Sequence, residues 1–313
     1  MGQAIVYTEL GGPEVLRLVE RPAAAPGAGE LVIRVEAVGV NPIEGKLRAG
    51  LRPSGPFAEP RLPGTDAAGS VTAVGAGVEG FRAGDAVVVA SAPGTYASEI
   101  VVPAVSAWLR PAAVTAATGA ALGVPAGTAY QTVRSLAVTA GDTLLVHGGS
   151  GSVGQAVIQF AVLQGATVVA TASPARADRV RALGAIPVAY GDGLADRVRA
   201  AAPQGVTVAI DAVGTDEALA TSLELVADHD RIATLVRGAQ AAGLGIRAFG
   251  GGSPHPLTPR QVAWRAEAIP VTLALLAAGA FSVELGPSFP LAEAGAAQAA
   301  VAAGTAGKIT LVP

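Results

Sequence analysis

The run Thr143-Leu144-Leu145-Val146-His147-Gly148-Gly149-Ser150-Gly151-Ser152-Val153-Gly154-Gln155-Ala156-Val157-Ile158 constrains the fold of this chain more than any other stretch. A short apolar strand runs into a glycine-rich turn, and a helical pattern follows directly. Gly149, Gly151 and Gly154 fit the spacing G-x-G-x-x-G. In that spacing the first glycine permits the tight turn and the second lets the main chain approach an anion. The third lets helix and strand pack closely. Free N–H groups at the helix start complete a cradle for a pyrophosphate. Strand, turn and helix together predict a dinucleotide site built from Gly149, Ser150, Gly151, Ser152, Val153 and Gly154.

The residues beyond the turn keep the same rhythm. Strands are expected at Thr143–Val146, Thr167–Thr171, Ile186–Ala189, Val206–Ala212, Arg231–Leu235 and Gly245–Phe249. Helices are expected at Thr128–Leu136, Ser152–Leu163, Ala175–Leu183, Leu194–Ala201 and Asp216–Val226. Alternation of this kind implies βαβ units in a parallel, doubly wound sheet. The first third reads differently. Ala4–Thr8, Val15–Glu20, Glu30–Val40, Gly69–Val74, Asp85–Val89 and Tyr96–Val102 are β-forming runs separated by Gly/Pro turns, with no helix expected between them. They predict a small barrel or curled sheet. From about Thr258 the chain carries a long Ala-rich helix, a turn-and-strand element at Phe281–Phe289, a helix from Leu291 and a last strand at Lys308–Val312. This tail is expected to return to the first domain, with Gly250–Pro259 as the crossing. The expected domains are 1–120 with 255–313, and 121–254.

Composition narrows the class. The chain is 51% apolar and only 14% charged, which suits a well-buried α/β protein. A net charge of −3 gives no electrostatic case for binding nucleic acid or an acidic membrane surface. With no cysteine there is no disulfide, thiolate zinc site or cysteine nucleophile, and three scattered histidines argue against an imidazole metal centre. The N-terminal residues lack a basic region followed by an apolar core, and the apolar stretch Ala268–Ala280 is too short to span a bilayer. A cytoplasmic location is expected.

Cofactor choice turns on the end of the second strand of the unit. A site for NAD usually places Asp or Glu there, on the ribose hydroxyls. Here Thr171, Ser173 and Arg176 stand at that place, without a carboxylate among residues 168–176. Hydroxyl donors and a planar cation suit a 2′-phosphate, and NADPH is the expected cofactor. Ser173 also fits a helix cap and Arg176 a solvated helix face, roles compatible with phosphate binding.

Several motifs in order resemble a known family. They are Val38-Gly39-Val40-Asn41-Pro42-Ile43-Glu44-Gly45-Lys46-Leu47-Arg48-Ala49-Gly50, Pro63-Gly64-Thr65-Asp66-Ala67-Ala68-Gly69, and Phe81-Arg82-Ala83-Gly84-Asp85-Ala86-Val87. Gly94-Thr95-Tyr96-Ala97-Ser98-Glu99, Gly127-Thr128-Ala129-Tyr130, the glycine-rich turn, Asp211-Ala212-Val213-Gly214 and Gly307-Lys308-Ile309-Thr310-Leu311 continue the series. Over nearly its whole length the chain resembles the medium-chain dehydrogenase/reductase superfamily, in its zinc-free quinone oxidoreductase and enone reductase branch. The resemblance implies a GroES-like β-rich catalytic domain beside a Rossmann domain. Thr65 stands where the zinc enzymes of the superfamily carry a ligand histidine. The partner cysteine near Gly39–Asn41 and the four-cysteine lobe are absent, so no metal is expected. Without a Lewis acid an alcohol is hard to activate, which favours reduction of an electrophilic acceptor.

The implied reaction is hydride transfer from NADPH to a quinone or an α,β-unsaturated carbonyl compound. The resemblance places Arg176 and Tyr190 on the 2′-phosphate, Thr128 near the nicotinamide, and Val213 and Lys308 among the cofactor contacts. Tyr190 also fits a half-buried strand position. Asn41 and Lys46 are the expected catalytic residues, on a loop facing the nicotinamide. Asn41 would donate to the substrate carbonyl, and Lys46 would hold the ribose or stabilise the enolate. An ion pair of Lys46 with Glu44 or Asp66 is the structural alternative. His147 is expected to bond backbone near the cofactor. The substrate is read as a small molecule whose polarity the loops at Leu51–Pro60 and Phe249–Pro259 leave undefined. A homodimer through the edge at Gly245–Phe249 is expected. A non-catalytic NADPH-binding sensor or structural protein is the alternative function.

Overall fold

Among the described residues an apolar core forms in each of the two units into which the chain divides, Met1–Val124 with Ile269–Pro313, and Pro125–Ala268. The structure is a computed structural model that describes residues 2–52, 55–250, 253 and 255–313. Parts of the two loops expected to line the substrate site, and of the expected crossing at 250–259, lie outside the described residues.

In the first unit, strands β1 (Gly2–Val6) and β2 (Arg17–Arg21) form an antiparallel pair. A larger sheet is built from β3 (Glu30–Gly39), β4 (Asp66–Val74), β5 (Ala86–Val89), β6 (Glu99–Pro103) and β7 (Ala107–Leu109). The C-terminal segment adds β14 (Leu285–Pro290) and β15 (Lys308–Val312). The strand order is β14-β15-β3-β4-β5-β7, with β6 paired to β3. Leu31, Ile33, Val38, Val87, Tyr96, Ile309 and Leu311 share its core. The tail therefore contributes core residues to the first unit.

Two helices of this unit bear on the site. The first, α1 (Pro42–Arg48), was not expected from the run of β-formers. Its signal is local: Asn41 caps it, Pro42 opens it with a preset φ, and Glu44 returns to the Asn41 N–H at 2.7 Å. The second, α2 (Ala116–Ala120), is capped by the Thr115 hydroxyl, which accepts from the Thr118 N–H at 3.1 Å. Near the C-terminus α10 (Ala294–Ala302) supplies Ala294 and Ala297 to the same core.

The second unit holds six parallel strands, β8 (Thr143–His147), β9 (Thr167–Thr171), β10 (Ile186–Val188), β11 (Val208–Asp211), β12 (Ile232–Thr234) and β13 (Arg247–Ala248). All neighbouring pairs are parallel, in the order β10-β9-β8-β11-β12-β13. This is the doubly wound order that reverses between its first and fourth strands. Both β8 and β11 are buried along their full length, as continuous apolar runs in covered parallel sheets are. The helices are α3 (Gly123–Ser135), α4 (Ser152–Leu163), α5 (Ala177–Ala182), α6 (Leu194–Ala201), α7 (Asp216–Leu225), α8 (Gly238–Leu244) and α9 (Pro259–Ala277). Of these α8 was not expected, and it shortens the anticipated edge strand to the two residues of β13. Both passages between the units fall inside helices, at Val124/Pro125 in α3 and at Ala268/Ile269 in α9.

Candidate functional site

The carboxyl end of β8 leads into the glycine-rich turn. The left-handed residue of that turn is Gly148 (φ +82°), so the tight bend lies one position earlier than the glycine spacing suggests. Gly149 is small for another reason: a Cβ there would stand 2.6 Å from Ala170 Cβ on β9. A Cβ on Gly154 would stand 2.1 Å from the Gly148 carbonyl oxygen, so α4 packs onto the turn only with glycine at this position. Gly151 differs, because the nearest atom to an added Cβ is Gly148 O at an ordinary 3.5 Å. It is the N-cap of α4 and brings no side chain to the first-turn N–H groups.

Three contacts stitch the turn to its surroundings. The Gly148 N–H donates to Thr171 Oγ1 at 3.0 Å, and the Gly149 N–H to the Thr171 carbonyl at 2.9 Å. Thr171 is thus buried at the root of the turn. Ser150 is held through its carbonyl, which accepts from Gln155 Nε2 at 2.8 Å, and Gln155 Oε1 accepts from Arg179 Nε at 2.9 Å. Ser152 and Val153 begin α4, half-buried.

Past β9, Ser173 precedes a single 3₁₀ turn at Pro174–Arg176 without spending its hydroxyl on a cap. Arg176 is half-buried, and Tyr190, just past β10, is 60% exposed. The last register pair of β9 and β10 sets Thr171 against Val188, and Ser173 and Tyr190 each follow it by two residues, beyond the strand ends. Beyond β11, Asp211 Oδ1 accepts from the Val213 and Gly214 N–H groups at 2.9 and 2.8 Å, leaving the Val213 side chain exposed.

Thr128, on α3, is buried, and its hydroxyl accepts from Arg265. His147 is buried with its Nε2 3.1 Å from Ser222 Oγ. The Ser222 hydroxyl donates its proton to the Ala218 carbonyl at 2.8 Å, so the imidazole Nε2 must carry the hydrogen of that contact. Burial holds the ring neutral, lowering its pKa to about 4. Its partner is a side chain rather than the backbone expected.

The first unit gathers a second polar cluster. Asn41 Nδ2 donates to Glu44 Oε1 and Asp66 Oδ2, both at 3.0 Å, and its Oδ1 accepts from the Lys308 ammonium. Tyr96 donates to Glu44 Oε2 at 2.6 Å, and the Val124 N–H to Asp66 Oδ2 at 2.8 Å. All five side chains are buried. Desolvation pushes the Glu44 carboxyl up to about 7 and the Lys308 ammonium down, while each charge partly steadies the other. The lysine facing Glu44 and Asp66 is therefore Lys308, not Lys46. Lys46 is half-buried in the last turn of α1 and has no ion-pair partner among the described residues. Burial and the nearby Arg52 charge lower its pKa. Thr65 donates to Asp66 Oδ1 at 3.3 Å. Among the described residues no three His, Cys, Asp or Glu side chains group as a metal site requires.

Residues 27–135 match the alcohol dehydrogenase GroES-like domain family, and residues 152–247 the zinc-binding dehydrogenase family. A mycobacterial quinone oxidoreductase of known structure is 31% identical, covers 100% of both chains and superposes with a TM-score of 0.78. The chain belongs to the quinone oxidoreductase branch of the medium-chain dehydrogenase/reductase superfamily. Escherichia coli quinone oxidoreductase, solved with NADPH, is 26% identical over 99% of this chain and 100% of its own, with a TM-score of 0.84. The human synaptic vesicle membrane protein VAT-1 homolog is 35% identical over 68% of this chain and 55% of its own length. The chain thus spans about half the length of that relative.

Glu44 and Tyr96 lie within the motifs that carried the resemblance, yet their pairing across 52 positions has no local signal. Glu44 did leave one trace, as the third residue after Asn41 in a helix-starting box. Among the described residues no helix is long and apolar enough to cross a membrane.

Proposed function

We propose that the protein is an NADPH-dependent, metal-independent oxidoreductase that reduces a quinone or an α,β-unsaturated carbonyl compound. One observation carries the cofactor reading. The uncapped start of α4 sits beside a strand end that offers Ser173 and Arg176 and no carboxylate. The glycine turn fits a pyrophosphate, since Gly151 brings no capping side chain to the first-turn N–H groups of α4. Quinone oxidoreductase homology and the NADPH bound to the E. coli relative support the same reading.

In this reading Ser150, Ser152 and Val153 line the pyrophosphate with Gly149, Gly151 and Gly154. Ser173, Arg176 and Tyr190 hold the 2′-phosphate, with Thr171 shaping the turn from beneath. Bound NADPH supplies a hydride from C4 of its nicotinamide. Thr128 accepts from Arg265 and keeps its own proton to donate, and Val213 contributes an exposed apolar side chain. Lys46 is assigned to steady the negative charge that develops on the acceptor oxygen. Asn41 is read as a positioning residue, because both its amide protons already go to carboxylates. Lys308 is likewise assigned to that internal framework and not to the cofactor. Solvent delivers the product's proton. A cytoplasmic homodimer through the edge of β13 belongs to the same proposal.

The test is NADPH consumption by the full chain across quinones, enones, enals and simple alcohols with NADP⁺, with and without a metal chelator. Turnover of a quinone or enone that survives chelation is expected, with no alcohol oxidation. Tight NADPH binding without turnover of any acceptor would overturn the enzyme reading in favour of a conformational role for the nucleotide.

A further inference from the structure

Past β10 the chain turns through Ala189-Tyr190-Gly191-Asp192-Gly193 into α6, and one side chain of α6 collects this loop. Arg197 Nε donates to the Ala189 carbonyl at 2.9 Å, Nη2 to Gly191 at 2.7 Å and Nη1 to Asp192 at 2.7 Å. Three carbonyls converge on one guanidinium because Gly191 (φ +100°) and Gly193 (φ +77°) take left-handed conformations. From the other side Glu217 Oε2 on α7 accepts from the Gly191 N–H at 3.2 Å. The segment is held on both sides of Tyr190, whose own side chain stays exposed.

A guanidinium offers five N–H donors in a rigid fork that suits planar groups of acceptors. Here every hydrogen bond it makes goes to a main-chain oxygen, so its charge is not cancelled by an ion pair. A preorganised tyrosine loses little freedom on binding.

We propose that Arg197 is a positioning residue for cofactor selectivity: by gathering the carbonyls of Ala189, Gly191 and Asp192 it fixes Tyr190 beside Ser173 to meet the 2′-phosphate of NADPH. The proposal rests on the NADPH reading of this site. Arginine's fork is essential to it, because lysine keeps the charge but presents a point of donors that does not span three carbonyls.

Binding of NADPH and NADH to the full-length protein, each titrated by calorimetry, tests this. Loss of one hydrogen bond to a charged group predicts a Kd for NADPH about tenfold higher in Arg197→Gln, with the Kd for NADH nearly unchanged. Arg197→Lys should lose the same selectivity despite its charge. Gly191→Ala, which strains the loop but keeps the guanidinium, should do likewise and serves if the Arg197 variants fail to fold. In a Tyr190→Ala background Arg197→Gln should add no further loss. An unaltered NADPH preference in Arg197→Gln or Gly191→Ala, or full retention in Arg197→Lys, would overturn the proposal alone. A wild-type protein that binds NADPH no better than NADH would overturn the cofactor reading and this proposal with it.

Discussion

At the scale of single residues, the three glycines of the turn separate into different tasks. Gly154 serves the fold: alanine there drives a Cβ against the Gly148 carbonyl, whose backbone has little room to yield. Gly154→Ala should cost about 1–3 kcal/mol, as overpacked sites do, and abolish NADPH binding. Gly151 is proposed to serve the ligand: its backbone (φ −76°, ψ 162°) suits any residue, and an added Cβ would make only ordinary contact with Gly148 O at 3.5 Å. Gly151→Ala should keep stability within about 0.5 kcal/mol and still weaken NADPH binding. Denaturant melts and titrations on both variants check this, and equal stability losses would refute the division. Arg176 is proposed to have a ligand task of another kind. Arg176→Ala should weaken NADPH about tenfold while sparing NADH, the loss of one charge-assisted contact to the 2′-phosphate. Equal losses for both nucleotides would place that phosphate elsewhere.

At the scale of elements, two buried groups pull the pH dependence of stability in opposite directions. Glu44, on α1, has its pKa raised from an ordinary 4.5 to about 7, so the fold favours its protonated form. That contribution is fully present below pH 4.5 and fades as pH rises to about 7. His147, at the end of β8, is lowered from 6.5 to about 4, and its contribution grows as pH rises through that interval. Removing one should expose the other. The stability of Glu44→Gln minus that of the native protein should climb with pH between 4.5 and 7, by at most about 1.4 kcal/mol per unit. A difference that stays flat across this range, read from urea melts, would mean the carboxyl does not titrate there. The same two elements show what was legible in advance. Strand β8 and helix α4 were bounded closely from local pattern alone, because apolar run, glycine turn and helical period all agree. Helix α1 was missed since its seven residues follow a ten-residue strand and give too short a window for helical periodicity. The contact of Lys308 with Asn41 spans 267 positions, a pairing that only the tertiary fold creates. Helix α8, mostly Gly and Ala, carried almost no periodic signal.

At the scale of the whole molecule, two cores raise the question of whether the chain unfolds in one step. Each passage between the units carries a proline, Pro125 immediately after the first in α3 and Pro270 one residue past Ile269 in α9. Proline donates no N–H, and in a helix interior it also crowds the preceding turn. Pro270, inside the continuous helix α9, in particular lacks the N–H for one hydrogen bond of the helix ladder. Two separable transitions are therefore expected, and the two tryptophans report on them, Trp108 from β7 in the first unit and Trp264 from α9 in the second. In Trp108→Phe the remaining emission follows the nucleotide-binding unit, and in Trp264→Phe it follows the β-rich unit. NADPH at about 100 times its Kd should stabilise the Trp264 transition by about 2.7 kcal/mol. The Trp108 transition should move less, because the glycine turn and the strand ends assigned to the nucleotide belong to the other unit. Coincident transitions that shift together on adding NADPH would instead make the protein a single cooperative unit, with ligand energy delivered to both cores.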